Sequence, residues 1–193
     1  SGGNKTVTVS VYDVMGRVLS ETVYTYTKYG TVDETISRET NTYTYDGYGR
    51  VTSVTTTRTK VNGSLADIEG TIFTSTETKS YDDNGTLISE TGADGITTTY
   101  QYDALNRVTG MTKTDGVLSQ TTNTTYSCGN VSVNEGKTDK TTYTNALITT
   151  QTVNGMVENI TYQDGMGRTV RSEVYGVVTD YSYDAQGNRV TEM

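Results

Sequence analysis

Asp, Arg and Tyr are the residues of this 193-residue chain best suited to chemistry, and they recur together. Asp13 is followed four positions later by Arg17, Asp46 by Arg50, Asp103 by Arg107 and Asp164 by Arg168. Asp184 is followed by Arg189, with one more residue between. Tyr12, Tyr45, Tyr102 and Tyr183 each precede one of these aspartates directly, and Tyr81-Asp82 repeats the pair with Thr86 in place of an arginine. Carboxylates could serve as an acid–base pair, and a guanidinium can lie on a phenol ring. A reaction centre is usually built once, however. A phrase written five times reads as a building unit.

Composition removes most other chemistry. There is no His, which excludes Ser-His-Asp and Cys-His nucleophiles and imidazole metal sites. Cys128 stands alone, so no internal disulfide can form, and it reads as a small strand residue rather than a reactive thiol. Asp82, Asp83 and Asn84 bring three oxygens close together but lack the spacing and terminal Glu of a calcium loop, so no metal site is expected. No glycine-rich phosphate loop follows a strand pattern, and no cofactor is expected. The sequons at Asn123 and Asn159 are what chance gives in a chain this rich in Thr. A net charge of −8 with no cluster of Lys or Arg argues against nucleic acid and against an anionic membrane surface. No apolar run is long enough for a membrane-spanning helix. The opening SGGNKT has no apolar leader region and reads as a cut boundary.

The elements that position the repeated phrases are strands. Apolar residues make up only 32% of the chain, too few for a thick core, while Thr supplies about a fifth and there are 16 Tyr. Thr and Tyr suit a half-buried pleated surface, and regular alternation with this many aromatics argues against disorder. Lys5–Asp13 alternates Thr6, Thr8 and Ser10 with Val7, Val9 and Val11. Residues 40–46 and 179–184 alternate in the same way around Tyr43, Tyr45, Tyr181 and Tyr183. The best helical candidate is a short, Gly-bounded stretch near 62–72.

Two kinds of turn punctuate these strands. One is the Tyr-Asp phrase. The other is a plain pair: Asn62-Gly63, Asp94-Gly95, Asp115-Gly116 or Asn154-Gly155. They alternate, so two strands and two turns make a step of roughly 20 residues, a repeat architecture. Units are expected near 12–17, 45–50, 81–86, 102–107, 126–130, 143–148, 162–168 and 183–189, in one array over residues 1–193. The copies at 126–130 and 143–148 are eroded, and longer hairpins or a loop are expected between Asp13 and Asp82.

The letters of the phrase follow from turn geometry. Asp46 can accept amide hydrogen bonds from two residues on. Gly16, Gly49, Gly85, Gly167 and Gly187 fall where the loop needs a left-handed residue, and Asn106 substitutes there as the next-best type. With the turn closed, Tyr45 and Arg50 are expected opposite each other, guanidinium on ring. At 162 the order is Tyr162-Gln163-Asp164, with Gln163 in the tyrosine slot, and the unit at Asp184 is expected to carry an extra loop residue before Arg189.

These residues resemble the YD-repeat, or RHS-repeat, family. Units at Tyr12, Tyr45, Tyr102, Gln163 and Tyr183 carry its Asp, Gly or Asn, and Arg pattern, and the likeness covers most of the chain. The family includes bacterial polymorphic-toxin shells, insecticidal toxin-complex subunits, wall-associated proteins and teneurins. The resemblance implies an all-β fold of antiparallel hairpins side by side in a curved or spiralling sheet, a partial β-shell that encloses cargo in the toxins. This chain lacks the Asp-Pro-rich segment that usually ends such shells, since it has no Pro, and it is several-fold shorter than a closed shell. The expected function is a non-catalytic structural segment of a secreted or cell-surface protein, of the toxin-carrier kind. Its partners would be neighbouring repeats or further copies along open sheet edges, and an enclosed polypeptide. The alternative is a carbohydrate or cell-surface adhesion module using a Tyr-lined face.

Overall fold

The computed structural model describes residues 4–29, 32–61, 68–134 and 140–192. The chain is all-β, and no helix occurs among the described residues. Fourteen strands follow in order: β1 (Asn4–Tyr12), β2 (Val18–Tyr29), β3 (Val32–Tyr45), β4 (Val51–Val61), β5 (Ile68–Tyr81), β6 (Leu87–Thr91), β7 (Thr97–Tyr102), β8 (Val108–Thr114), β9 (Ser119–Val133), β10 (Thr141–Val153), β11 (Met156–Gln163), β12 (Thr169–Val174), β13 (Val177–Tyr183) and β14 (Arg189–Glu192). The weak helical candidate near 62–72 is strand from Ile68 onward, in keeping with the expected all-β fold; residues 62–67, with the Asn62-Gly63 turn, lie outside the described residues.

The chain divides into two compact units, Ser1–Thr98 and Thr99–Met193. In the first, β1 to β6 neighbour one another in chain order. The pairs β2·β3 and β4·β5 form long hairpins, which accounts for the wide spacing of the first three Tyr-Asp phrases. Threonine is abundant here because it fills cross-strand rows. Thr22, Thr40, Thr57 and Thr74 stand in one row and Ser20, Thr42, Thr55 and Thr76 in the next. The hydroxyls of Thr22 and Thr40, and of Thr55 and Thr76, lie 3.1 Å apart. Such β-branched pairs stabilise a sheet by about 0.2–1 kcal/mol each. The opposite face carries charge: Arg58 reaches Glu39 at 2.6 Å and lies over the Phe73 ring.

In the second unit β8 to β14 again follow chain order. The hairpin β9·β10 runs past its neighbours: β10 pairs with β11 only from Leu147 onward, whereas its pairing with β9 continues to Thr141↔Val133. A bulge with left-handed Asn145 interrupts that extension between Tyr143 and Ala146. Its tip reaches β13, where the Asn134 amide donates to Asp180 at 2.7 Å. Val131, Val133 and Ala146 of the extension bury against Val170 of β12, with Tyr143 and Tyr162 packed alongside. They are the buried apolar residues of the described chain.

Residues 126–130 and 143–148 therefore do not form turns. The first lies within β9 and the second within β10, because the chain continues in paired strands where other copies reverse. A further reversal occurs at Tyr175-Gly176, where left-handed φ values of 49° and 82° make a two-residue hairpin turn.

Candidate functional site

The six Tyr-Asp or Gln-Asp turns share one backbone. In each, the Asp amide donates to the carbonyl of the fifth loop residue, and the amide of the fourth returns a bond to the Asp carbonyl. The fourth residue is left-handed throughout: Gly16, Gly49, Gly85, Asn106, Gly167 and Gly187. The Asp side chain closes the loop. Asp46 Oδ1 accepts from the Tyr48 and Arg50 amides at 2.9 Å, and Asp13, Asp82, Asp103, Asp164 and Asp184 repeat this pair of bonds.

Where the fifth residue is Arg, its guanidinium returns to the same carboxylate. Arg17, Arg50 and Arg107 lie 2.6 Å from Asp13, Asp46 and Asp103, and Arg168 lies 2.7 Å from Asp164. The Arg17 amide above all holds Asp13 below the ordinary aspartate value, with the guanidinium adding to it against some desolvation. At Asp46 desolvation pushes upward but is outweighed by the Arg50 amide and guanidinium. At Asp103 the Arg107 guanidinium leads the lowering.

The last turn departs from expectation. Asp184 N bonds to Asn188 O at 3.0 Å, so the loop has the common length and Asn188 occupies the arginine's place. Left-handed Gly187 fixes that register. Asn188 Nδ2 donates to Asp184 at 2.9 Å, while Arg189 begins β14 and lies over Tyr181.

A second departure changes how the turns relate. Arg50 does not lie on Tyr45, which pairs instead with Val51. The salt bridge to Asp46 turns the guanidinium toward the following turn, 4.7 Å from the Tyr81 ring centre. Arg50 Nη1 also donates to the Asp82 carbonyl at 3.2 Å. Likewise Arg17 covers Tyr45 at 4.7 Å, Arg107 covers Tyr126 at 4.0 Å and Arg168 covers Tyr183 at 4.8 Å. Each of these tyrosines then donates its hydroxyl to the carbonyl just after the arginine that covers it. Tyr45 reaches Val18 at 2.6 Å, Tyr81 reaches Val51 at 3.3 Å, Tyr126 reaches Val108 at 3.0 Å and Tyr183 reaches Thr169 at 2.7 Å. The result is a latch from one turn to a tyrosine further along: carboxylate, guanidinium, ring, and hydroxyl back to backbone. Each combines a cation–π contact of about 0.5–2 kcal/mol with a hydrogen bond of about 0.5–1.5 kcal/mol.

Tyr126 belongs to this set although no turn follows it, a role that the eroded phrase around it conceals. Two mismatches in the sequence mark the rule. Tyr81 keeps its tyrosine in a turn without Arg, and Arg168 keeps its arginine in a turn that has Gln163 in the tyrosine slot. Partners so distributed belong to different turns. Tyr12 ends β1 as Tyr45 ends β3, and it is 57% exposed. Cys128 is exposed and free. No group of three metal-ligating side chains occurs among the described residues.

The RHS Repeat family model matches residues 81–118, the stretch in which the two turn kinds alternate at the closest spacing. That segment is similar to an RHS repeat. No curated protein matches the chain. Among solved structures, the crystal structure of TcdB2-TccC3 without its hypervariable C-terminal region is 13% identical, with a TM-score of 0.45. The Tc holotoxin pore of Photorhabdus luminescens is also 13% identical, with a TM-score of 0.46. The match covers 96% of this chain and 11% of the other in both cases, so this chain spans about a tenth of those proteins. A porin-like protein from Bacteroides uniformis is 18% identical over 86% of this chain and 51% of its own, with a TM-score of 0.32.

Proposed function

We propose that this chain is a non-catalytic wall segment: a run of hairpins whose task is to hold sheet to sheet within the shell of a larger secreted or cell-surface protein of the toxin-carrier kind. The latch carries the reading. Its charged and aromatic groups are the ones a binding or catalytic site would use, and each is committed within its own turn or to a paired strand. Asp13, Asp46, Asp103 and Asp164 are bonded to amides and to Arg. Tyr45, Tyr81, Tyr126 and Tyr183 have one ring face covered and the hydroxyl donated. We assign to all the turn residues named above this mechanical role. The match of residues 81–118 to the RHS Repeat family model supports the shell reading. Partners on this reading are neighbouring repeats, and a cargo segment.

Adhesion is the second reading, and Tyr24 and Tyr26 favour it. Their rings stack 6.3 Å apart on β2, outside any latch, and a sugar could lie on such a pair. Probing the native chain on a glycan array separates the two. The wall reading expects no glycan retained. A glycan held by the native chain and lost on Tyr24→Ala would replace it with adhesion.

A further inference from the structure

Arg38 stands apart from the other arginines. Arg17, Arg50, Arg58, Arg107, Arg168 and Arg171 each pair with a carboxylate, and Arg189 lies over the Tyr181 ring. Arg38 is half-buried on β3, and among the described residues it has neither a carboxylate nor a ring. Scarcity does not explain this, since the chain carries a net charge of −8.

Arg38 borders a hollow of about 370 Å³, a size that accepts a small molecule. Thr25, Ser37, Glu39, Arg58 and Thr59 line it too. Bulges beside Thr25 and on both sides of Thr59 add twist here, which lets residues of both sheet faces border one space. The hollow lies within the sheet and not at its border, since β1 pairs beyond β2 and β5 beyond β4. Thr59 is 2% exposed, yet its side chain makes no hydrogen bond to another described residue. A buried hydroxyl without a partner calls for one, and an unpaired guanidinium beside it calls for an anion.

We infer that this hollow binds a small open-chain hydroxycarboxylate of the aldonic-acid class. Arg38 would take the carboxylate through two parallel hydrogen bonds. Thr25, Ser37 and Thr59 would bond its hydroxyls. Glu39 gives one oxygen to Arg58 at 2.6 Å, and its other oxygen would accept a further hydroxyl. Glu39 and Arg58 neutralise each other, so the hollow carries one net positive charge. That suits a single carboxylate better than a doubly charged phosphate. The inference goes beyond the wall reading. It uses no latch residue and neither Tyr24 nor Tyr26, so its failure leaves the wall and adhesion readings where they stand.

Titrating the isotope-labelled chain with gluconate, read by amide chemical shifts, tests this. Saturable shifts at millimolar gluconate are expected at residues 37–39 and 58–59. Arg38→Ala is expected to weaken binding about tenfold or more, and Arg38→Lys to fall between, since it keeps the charge and loses the paired hydrogen bonds. Two comparisons need no variant. Sorbitol has the hydroxyls without the carboxylate, and propionate has the carboxylate without the hydroxyls; each is expected to bind about tenfold more weakly than gluconate. The inference is overturned if gluconate gives no saturable shift at these residues, if Arg38→Ala binds it as tightly as the native chain, or if sorbitol, propionate or inorganic phosphate binds as well as gluconate.

Discussion

The hairpins of the first unit and the folded-over hairpin of the second hold strands together by different means. Along β1 to β5 no apolar residue is fully buried among those whose burial is described, and Thr59 and Thr98 are the buried residues of that unit among them. Cohesion there comes from backbone ladders, threonine rows and the latches of Arg17 and Arg50. Around β9, β10, β12 and β13 a second layer exists. Val133 and Val170 are fully buried, and Asp180 is 6% exposed between Arg171 at 2.6 Å and the Asn134 amide. The difference teaches that a single sheet poor in Leu, Ile and Phe is secured at its turn edge by polar staples. Apolar packing appears only where the chain doubles back on itself.

The comparison breaks most sharply at Asp180. Replacing it with Ala leaves Arg171 unpaired in a half-buried place and the Asn134 amide without its acceptor. A loss of about 3 kcal/mol is expected, since removing one partner of a buried pair strands the other. Urea unfolding should read this loss, with amide exchange rising first along 127–134. Val170→Ala comes next, at about 2 kcal/mol, from lost transfer energy and the cavity left behind. The same experiment should find little change for Val9→Ala in the first unit, where the side chain is already half in water.

At the turns the effects are smaller. Gly85→Ala must hold a left-handed φ of 91° and place its Cβ 3.2 Å from Arg50 Nη1. Gly16→Ala faces the same kind of φ with nothing within 4 Å. We expect about 1 kcal/mol for Gly16→Ala from backbone strain alone and more for Gly85→Ala, measured by thermal unfolding. Equal losses would mean that the Arg50 guanidinium shifts aside without cost. Tyr45→Phe keeps the ring and removes one hydrogen bond, for a loss of about 1 kcal/mol or less.

Acid is the mildest probe. Asp13, Asp46, Asp103, Asp164 and Asp180 all lie below the ordinary aspartate value of 3.8 when folded. A carboxyl with a depressed folded pKa contributes stability above its unfolded value and loses it as pH falls through the folded value. Stability should therefore be flat from neutral pH to about 5 and decline below about 4. A decline beginning near pH 6 would contradict the assignment.

Much of the fold was legible in the residues. Alternation marked the strands, and Asp with a left-handed Gly or Asn marked the turns, because both are local requirements of the backbone. What was not legible depends on pairing at a distance. Whether Arg50 meets Tyr45 or Tyr81 is decided by the register of β4 against β5, which no local pattern states. The Tyr175-Gly176 turn has no plain local signature because Tyr seldom accepts left-handed φ; here the amide and hydroxyl of Tyr175 both bond to Glu158 and hold it there. The β9·β10 extension was hidden because its bulge residue, Asn145, resembles a worn turn.

The central claim is that Arg17, Arg50, Arg107 and Arg168 each cover the tyrosine of the strand paired with the one they lead, and not the residue that opens their own turn, although Arg50 also touches Tyr48 within its turn. A double-mutant cycle between Arg50→Ala and Tyr81→Ala, read by urea unfolding, tests it most directly. The account predicts a coupling of about 1 kcal/mol or more for that pair and none for Arg50 with Tyr45. A coupling between Arg50 and Tyr45 with none to Tyr81 would contradict it.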